Sequence, residues 1–464
     1  MKRISVSFFW AFSMVAALHA GAQGRDDNLD LSAGRAGGHA YHGERSASAL
    51  GQALYMAVQA RYWSAVRALL VEYRLLPDRD PLLLHYAQGL LARGQGQLGT
   101  AEAELRTLLS IQQGFLPARL ELARVLFESG QDLEAVRMFS DIYARLDLSE
   151  TTAGVRKTVA QYLETLARRQ AWSASVTFGV RWADNINRSS ASRACLLQGE
   201  AGICLVERTL PSRIGAGGAD LEASVRRRFP LGGQHGINLR MHAYGIGYFG
   251  HGQYDETTLV AQLGYGHHAG SRQLSVAPRY THNTVGGKAF YETWGLHAAW
   301  RYLHGVNSLI RLEGETKHSS YRPRIYARYL DGFTHAIYAS YIRDIGAGRT
   351  LFGGVDVERS LAKEDTQGYF QHGARLGASV HWHGFTGTLQ ASYRHRRYGA
   401  YNALLEARRR DIEQAYAFEL TADRWRIMGF TPSLTLRHSK IGSNVSWLYA
   451  HDRREVGVSM AYKI

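Results

Sequence analysis

From Trp172 to the last residue, the sequence alternates between apolar and polar side chains with a period of two. In the segment SVTFGVRW, Val176, Phe178 and Val180 alternate with Thr177 and Gly179. This period is typical of β-strands that have one apolar and one polar face. Fourteen such segments follow one another, and they begin near residues 174, 217, 237, 254, 272, 289, 307, 333, 350, 369, 385, 410, 430 and 453.

The connections between these segments fall into two alternating classes. Every second connection is short and glycine-rich, as in PLGGQHG, HAGS, LHGVN, IGAG and WHGF, although ADRWRIMG is longer than that class should be. The others are generally longer and more polar, and the longest runs from Ala183 to Gly215. Outer-membrane β-barrels alternate short periplasmic turns with longer outer loops in this way. The sequence therefore predicts a 14-stranded antiparallel transmembrane β-barrel over residues 171–464.

A soluble sandwich or propeller is the competing fold for so many strands. The polar faces of the segments carry charges that need water or partners, which a barrel lumen supplies and a dry core does not. We interpret six lumen-facing arginines as candidate contacts for a substrate in transit, or alternatively as partners of glutamates such as Glu313 and Glu315. The six are Arg240, Arg279, Arg311, Arg375, Arg394 and Arg437.

The chain ends inside a predicted strand, EVGVSMAYKI. Closure of the barrel explains this ending, because the last strand pairs with the first, near Ser175, and leaves no open edge. Gly179 and Gly457 are expected to lie at this seam, where missing side chains weaken packing and could allow a lateral route. The ending also resembles the C-terminal signal read by barrel-assembly machinery, although Ile464 stands where Phe or Trp is common.

The N-terminal segment has the organisation of a secretory signal peptide. Lys2 and Arg3 precede an apolar stretch from Ile4 to Leu18, and Ala20-Gly21-Ala22 supplies small residues before a cleavage site at Gln23. An uncleaved membrane anchor is the alternative, but the apolar stretch is too short for a stable span. We therefore predict a signal peptide over residues 1–22, followed by a flexible, glycine- and aspartate-rich lead-in over residues 23–45.

Residues 46–170 show a helical period instead. Ala101, Leu105 and Leu108 recur 34 residues later as Ala135, Phe139 and Ile142, and breaks are expected at Pro77, Pro81, Gly114 and Gly130. A 34-residue helix–turn–helix unit with small residues at the helix crossings resembles the tetratricopeptide repeat. A generic helical bundle is the alternative, and either fold makes a periplasmic binding module.

Composition limits the compartment and the partners. The formal net charge is +15, but the cations are spread along the chain without a nucleic-acid-binding motif, so no nucleic-acid partner is expected. A basic surface also suits contact with membrane lipids. Cys195 and Cys204 are the only cysteines and are predicted to form a local disulfide in an oxidising compartment.

The order of signal peptide, tetratricopeptide-like module and 14-stranded barrel resembles the surface lipoprotein assembly modulator (Slam) family. The segment WSASVTFGVRWADNINRSS is similar to that family's barrel entry, where a strand led by Trp runs into an Asp-x-Asn motif, here Asp184, Asn185 and Asn187. The resemblance implies an outer-membrane translocator for surface lipoproteins or secreted haemophore-like proteins. It also implies a periplasmic chaperone and the barrel-assembly machinery as partners.

No motif for catalysis, cofactor binding or metal binding was identified, and we predict neither an enzyme nor a cofactor. His267-His268 and His381-Trp382-His383 are interpreted as interfacial residues at strand ends rather than metal ligands. Ser392 and His395 are three apart on one strand and so point to opposite faces, which excludes a direct dyad. Asp184, Asn185 and Asn187 could bind calcium, but an Asx-stabilised turn is preferred.

Two other functions are compatible with helical repeats joined to a barrel. A polysaccharide exporter would have a longer helical part and a lumen with aromatic platforms and one dominant charge. A diffusion porin would leave the helical module without a purpose. Protein translocation uses the polar lumen, the long outer loops and the helical groove together, so we take it as the leading hypothesis.

Overall fold

The computed structural model describes residues 47–147, 150–199, 202–305 and 307–464. The predicted signal peptide and lead-in lie outside the described residues. Within the described residues, seven helices form an N-terminal module, and the barrel strands follow directly at Ser173. The helices of the module are α1 (Ala47–Gln59), α2 (Trp63–Tyr73), α3 (Pro81–Gly94), α4 (Leu98–Ile111), α5 (Leu116–Ser129), α6 (Asp132–Arg145) and α7 (Glu150–Gln170).

The helical module repeats as the sequence predicts. Helices α1, α3 and α5 begin at residues 47, 81 and 116, which are 34 and 35 residues apart. The repeated side chains form the core, since Leu105, Phe139 and their companions are 0–1% exposed. Gly89 lies where helices cross, because a Cβ there would stand 2.9 Å from Leu105 Cγ. The small residue therefore allows the close approach that the repeat requires.

Local sequence signals set the ends of these helices. The Asp80 carboxylate accepts a hydrogen bond of 2.8 Å from the Leu82 amide, and Pro81 occupies the first turn of α3, where its missing N–H costs nothing. Gly130 closes α5 with a left-handed φ of 82°, as a C-terminal glycine commonly does. Of the other predicted breaks, Pro77 lies between α2 and α3, and Gly114 lies between α4 and α5.

The remainder is a closed antiparallel barrel of 14 strands. Strand β1 (Ser173–Ala183) pairs with both β4 (Ala216–Gly232) and the last strand, β16 (His451–Lys463), so the sheet has no free edge. The barrel strands are β1 (Ser173–Ala183), β4 (Ala216–Gly232), β5 (His235–Tyr248), β6 (Glu256–Ala269), β7 (Arg272–Val285), β8 (Lys288–His304), β9 (Ser308–Tyr321), β10 (Gly332–Gly346), β11 (Arg349–Ala362), β12 (Tyr369–Trp382), β13 (Phe385–Tyr398), β14 (Arg410–Thr421), β15 (Thr431–Ser443) and β16 (His451–Lys463).

The two faces of each barrel strand differ in the way a membrane requires. On β1, Val176, Phe178 and Trp182 are 41–49% exposed on the outer face, while Arg181 points inward. The apolar face has no protein layer over it, so only lipid can cover it, and the charged face surrounds the lumen. No helix in the described part of the chain is both long and apolar enough to cross a membrane.

The connections also follow the predicted classes, with one difference. Gly286 and Gly287 join β7 to β8 as a two-residue turn on the side where the loops are generally long, and both have positive φ, 58° and 73°. The longest loop contains a two-stranded hairpin, β2 (Arg193–Gln198) and β3 (Cys204–Thr209). Two other long-side loops contain short helices, α8 (Arg324–Leu330) and α9 (Ser446–Tyr449).

Candidate functional site

The barrel encloses a cavity of about 250 Å³ lined by both signs of charge. Arg279 pairs with Glu315, with Nη1 and Oε1 3.2 Å apart, and Arg394 Nε lies 3.5 Å from Asp356 Oδ2. These groups are nearly buried, yet each faces a partner of opposite charge, which limits the cost of removing it from water. The charges that line the cavity therefore neutralise one another in pairs.

The six predicted lumen arginines divide into different environments. Arg279, Arg375 and Arg394 line the cavity, and Arg375 donates a hydrogen bond of 3.3 Å to Ser340 Oγ. Arg311 contacts Glu313, its neighbour on the same face of β9. Pairing with acidic residues therefore accounts for several of the six.

The remaining two predicted lumen arginines lie elsewhere on the inner wall. Arg437 is on β15, opposite Glu455 in the register with β16, and its charge interacts with Glu455 and Glu419. Arg240 is on β5, directly opposite Arg226 of β4 in the register. The charges that act on it are those of Arg301 and Arg226, so its surroundings are basic.

Residues from the outer loops cover the cavity on the long-loop side. Arg188, Leu448 and Tyr449 contribute to its lining, although each belongs to a loop and not to a strand. The Arg409 guanidinium lies 3.3 Å from the Tyr449 ring centroid and 4.5 Å from that of Tyr398. Such cation–π contacts attach α9 to the barrel rim, so α9 and its neighbours form a cover over the chamber.

The predicted junction motif fastens the outer end of the β1–β16 seam. Asp184 Oδ1 accepts a hydrogen bond of 2.8 Å from the Arg454 amide, and Asn185 Nδ2 donates to the Asp452 carbonyl at 2.9 Å. Asn187 Nδ2 donates to the Ser212 carbonyl at 2.7 Å, and its Oδ1 accepts from the Ile214 amide. Asn185 is fully buried. The three side chains thus satisfy backbone groups of neighbouring segments.

At the seam itself, nine residue pairs join β1 to β16, fewer than join any other neighbouring barrel strands. Gly179 faces Ser459, and Gly457 faces Arg181, both on the lumen side. A Cβ on Gly179 would lie 2.6 Å from the Val458 carbonyl oxygen, so this glycine permits a close approach of the two strands. Arg181 Nη1 and Glu455 Oε2, 3.6 Å apart, form an ion pair across the seam.

The disulfide predicted between Cys195 and Cys204 joins the two strands of the β2–β3 hairpin, with its Cα atoms 5.7 Å apart. Ile203 and Leu205 beside it are 64% and 62% exposed. The bridge therefore stiffens an outer-loop hairpin and lies apart from the lumen.

The helical module docks on the short-turn end of the barrel. Asp132, at the start of α6, is 3% exposed and joins two arginines: Arg169 Nη1 lies 3.0 Å from Oδ1, and Arg228 Nη1 of β4 lies 3.3 Å from Oδ2. The Gly270 amide, in the β6–β7 turn, donates to the Ser129 carbonyl at 3.4 Å. The module is thereby held beneath the wall formed by β4 to β7.

Sequence reasoning missed Asp132, Arg169 and Arg228 as a connected group. They are separated by 37 and 96 residues, and no spacing rule links them. Arg228 gave one weak signal. It follows Arg226 by two residues on β4, so the alternation places both on the same face of the strand, close to the short turn.

The histidine and serine candidates show no catalytic or metal-binding arrangement in the described residues. The rings of His267 and His235 are 5.0 Å apart, and His235 Nδ1 lies 2.5 Å from the Tyr265 hydroxyl. His381 Nδ1 lies 3.0 Å from Thr386 Oγ1. Ser392 faces the lumen side of β13, whereas His395 neighbours His372 on the other face. Over the part of the chain that the structure describes, no group of three or more possible metal ligands occurs.

Two family models match the sequence. The model described as "Surface lipoprotein assembly modifier" matches residues 172–463, and the one described as "Surface lipoprotein assembly modifier, N-terminal TPR repeats" matches residues 44–139. The first match covers the barrel, and the second covers most of the helical module. The predicted tetratricopeptide character of the helices is therefore confirmed.

Relatives with curated names cover nearly the whole chain. The hemophilin secretion modulator of Acinetobacter baumannii is 34% identical over 438 residues, which are 92% of this chain and 88% of that protein. Surface lipoprotein assembly modifier 1 of Haemophilus influenzae is 25% identical over 415 residues, 88% of this chain and 83% of that one. Among solved structures, the outer membrane channel DcaP of A. baumannii has a TM-score of 0.39 at 10% identity, covering 63% of this chain and 96% of that one.

Proposed function

The chain belongs to the surface lipoprotein assembly modifier family, and from that membership we propose that it moves a protein substrate from the periplasm to the cell surface. The barrel sits in the outer membrane, and the helical repeats lie on its periplasmic side. The substrate class follows from the relatives, whose names refer to surface lipoproteins and to hemophilin. The candidates are therefore a surface lipoprotein or a related secreted protein.

The observation that carries the proposal is the attachment of the helical module to the mouth of a polar lumen. Asp132 joins α7 and β4 through Arg169 and Arg228, so a substrate held by the module stands directly at the barrel entrance. Tetratricopeptide repeats form concave binding surfaces. In this role the module receives the substrate, together with a periplasmic chaperone, and the barrel-assembly machinery assists at the membrane.

The size of the chamber bears on the form in which a substrate could pass. A cavity of about 250 Å³ is far smaller than a folded domain and is covered from outside by Tyr449 and Leu448. Passage through the lumen therefore requires an extended chain and displacement of the cover. The alternative is insertion at the β1–β16 seam, where the strand pairing is shortest.

Deleting residues 47–170 tests the receptor role. We expect the remaining barrel to assemble, since its closure depends on strand pairing alone, but surface display of the substrate to fall severalfold. The measurement is labelling of surface lipoproteins, or assay of secreted protein, on intact cells. A matched control replaces Arg193–Thr209, the outer hairpin, with a short linker and leaves the module in place. Unchanged display after deletion of the module would remove the receptor role.

A second measurement separates translocation from diffusion or polysaccharide export. The purified full-length chain is placed in a planar bilayer, and its conductance is recorded. A chamber closed by its own loops should give small or transient currents. A large, stable ohmic pore would instead favour a porin.

A further inference from the structure

Among the residues that the structure describes, a group of arginines on the inner wall of the barrel has no acidic partner. The group consists of Arg226 on β4, Arg240 on β5 and Arg301 on β8, and we call it the arginine wall. Arg240 and Arg301 point to the lumen, because Met241, beside Arg240, is 41% exposed and Trp300, beside Arg301, is 36% exposed on the lipid face. Arg226 shares the face of Arg240, since the two are directly opposite each other in the β4–β5 pair. All three lie within six residues of a short turn and hence near the periplasmic entrance.

The strand register places these cations against one another. Arg226 is directly opposite Arg240 in the β4–β5 pair, and Arg301 is directly opposite Arg311 in the β8–β9 pair. Like charges directly opposite each other destabilise a sheet. The charges of Arg226 and Arg301 also act on Arg240, so the repulsion extends across the wall. An anionic group from outside the chain would offset this repulsion between the arginines.

Acidic residues of β4 and of the adjoining strand β9 are engaged elsewhere. Glu222 of β4 lies 2.9 Å from His242 Nε2, and Glu313 of β9 contacts Arg311 and lies 3.4 Å from His297 Nε2. Within the described ranges, the three guanidinium groups of the arginine wall have no carboxylate within ion-pairing distance. This contrasts with Arg279 and Arg394 further out, which are paired.

The position of the arginine wall limits what could bind there. Lipid head groups do not reach it, because the side chains face the lumen. Strands β4 to β8 cover on the order of 19 Å of wall at ~4.8 Å per strand, which is wider than one phosphate group. Arg228, two residues beyond Arg226 on the same face, bonds to Asp132, so the wall begins where the helical module is attached.

We propose that the arginine wall binds a carboxylate-rich, extended segment of the substrate polypeptide as it passes from the helical module into the barrel. The inference rests on the proposed function and adds to it a chemical property of the substrate. Guanidinium groups form strong charge-assisted hydrogen bonds with carboxylates. Acidic side chains at alternate positions of an extended chain lie on one face, so they can meet several arginines at once.

The test uses the full-length chain in detergent and a fluorescein-labelled peptide of alternating Glu and Gly, ten residues long. A peptide with Gln in place of Glu is the neutral probe. Binding is followed by fluorescence anisotropy at low and at high salt. We expect the acidic peptide to bind and the neutral peptide not to bind, and we expect the affinity to fall with salt because exposed charges are screened.

The variant R226Q/R240Q/R301Q removes the wall, and R324Q/R328Q/R426Q removes three exposed arginines outside the lumen. The first should weaken acidic-peptide binding at least tenfold, and the second less than twofold. R226K/R240K/R301K keeps the charge and should retain most of the binding. Heat-modifiable gel migration verifies that each barrel has closed. If the glutamine variant failed to close, the single charge reversal R240E would replace it, with a loss of binding expected.

Two outcomes overturn the inference. One is equal binding of the acidic peptide by the wild type and R226Q/R240Q/R301Q. The other is full displacement of the peptide by inorganic phosphate at the same total charge, which would mark a site for small anions. Because the peptide assay does not depend on export, either outcome leaves the proposed function standing. Unchanged surface display after deletion of residues 47–170, with peptide binding intact, would instead overturn the receptor role alone.

Discussion

At the scale of single residues, Asp132 forms an ion pair that joins the helical module to the barrel. Its carboxylate is buried and bonded to one arginine of the module, Arg169, and one of the barrel, Arg228. Arg169 also donates to the Phe127 carbonyl at 3.1 Å and lies over the Phe127 ring, 3.8 Å from its centroid. The Asp132 carboxylate thus joins α7 and β4 to α6, and Arg169 also joins α7 to α5.

We predict that D132N loosens the module from the barrel. Removing one partner of a buried ion pair costs about 3 kcal/mol, which corresponds to roughly a hundredfold larger population of the undocked state. The measurement is hydrogen exchange of the Gly270 amide, which bonds to the Ser129 carbonyl. We expect much faster exchange in D132N.

The matched control is E164Q on α7. Glu164 Oε1 and Arg168 Nη1 are 3.1 Å apart, but both side chains are about two thirds exposed, 64% and 65%. Exposed pairs contribute only ~0–1 kcal/mol, so exchange at Gly270 should stay near the wild-type rate. Equal rates in D132N and wild type would show that other contacts hold the module in place.

The lumen arginines show how far the sequence determines single residues. Alternation along the strands is enough to place Arg240 and Arg311 on the inner face, because the period of two is strict. Their partners could not be predicted, since a pair such as Arg279 and Glu315 depends on which strands adjoin and in what register. Asp132 was missed for the same reason: its partners come from distant parts of the chain.

At the scale of elements, the strand pattern was strongly predictive. All fourteen predicted strand starts lie within two residues of the observed ones, because lipid on one face and water on the other impose alternation on every strand. The β7–β8 turn and the helices α8 and α9 were not predicted. The alternation that marks the strands says nothing about how the loops between them fold.

The seam between β1 and β16 is the element whose role can be tested most directly. We predict that T177C/A461C, which joins residues opposite each other across the seam, reduces surface display if the seam opens during export. Opposite residues in an antiparallel pair lie ~4.5–5.5 Å apart at Cα, within the range that a disulfide spans. Display is compared in the same cells with and without a reducing agent.

The control for that lock is S379C/T388C, a lumen-side pair in β12 and β13 whose hydroxyl oxygens are 3.1 Å apart. It introduces the same bond between strands that have no reason to separate, and display should remain at the wild-type level. Full display with the seam locked would direct the substrate through the lumen.

At the scale of the whole molecule, the chain is a chamber with the helical module attached at one end and outer-loop residues covering the other. Below, the helical module lies against β4 and the β6–β7 turn. Above, α9 is held by Arg409 through Tyr449, and the Trp447 carbonyl accepts hydrogen bonds from Ser190 and Ser192. A resting translocator needs such a cover, because an open lumen would leak ions and small solutes.

We therefore predict that replacing Val445–Tyr449 with a glycine–serine linker of equal length opens the barrel. The change removes Leu448 and Tyr449 from the cavity lining and releases Arg409, so larger and longer-lived currents are expected in planar bilayers. The matched control replaces Arg193–Thr209, an outer-loop hairpin whose described residues do not line the cavity, and its currents should equal those of the wild type. Closure by α9 is refuted if the linker variant conducts no more than the control. In that case the paired charges inside, such as Arg394 and Asp356, are the barrier that a substrate has to displace.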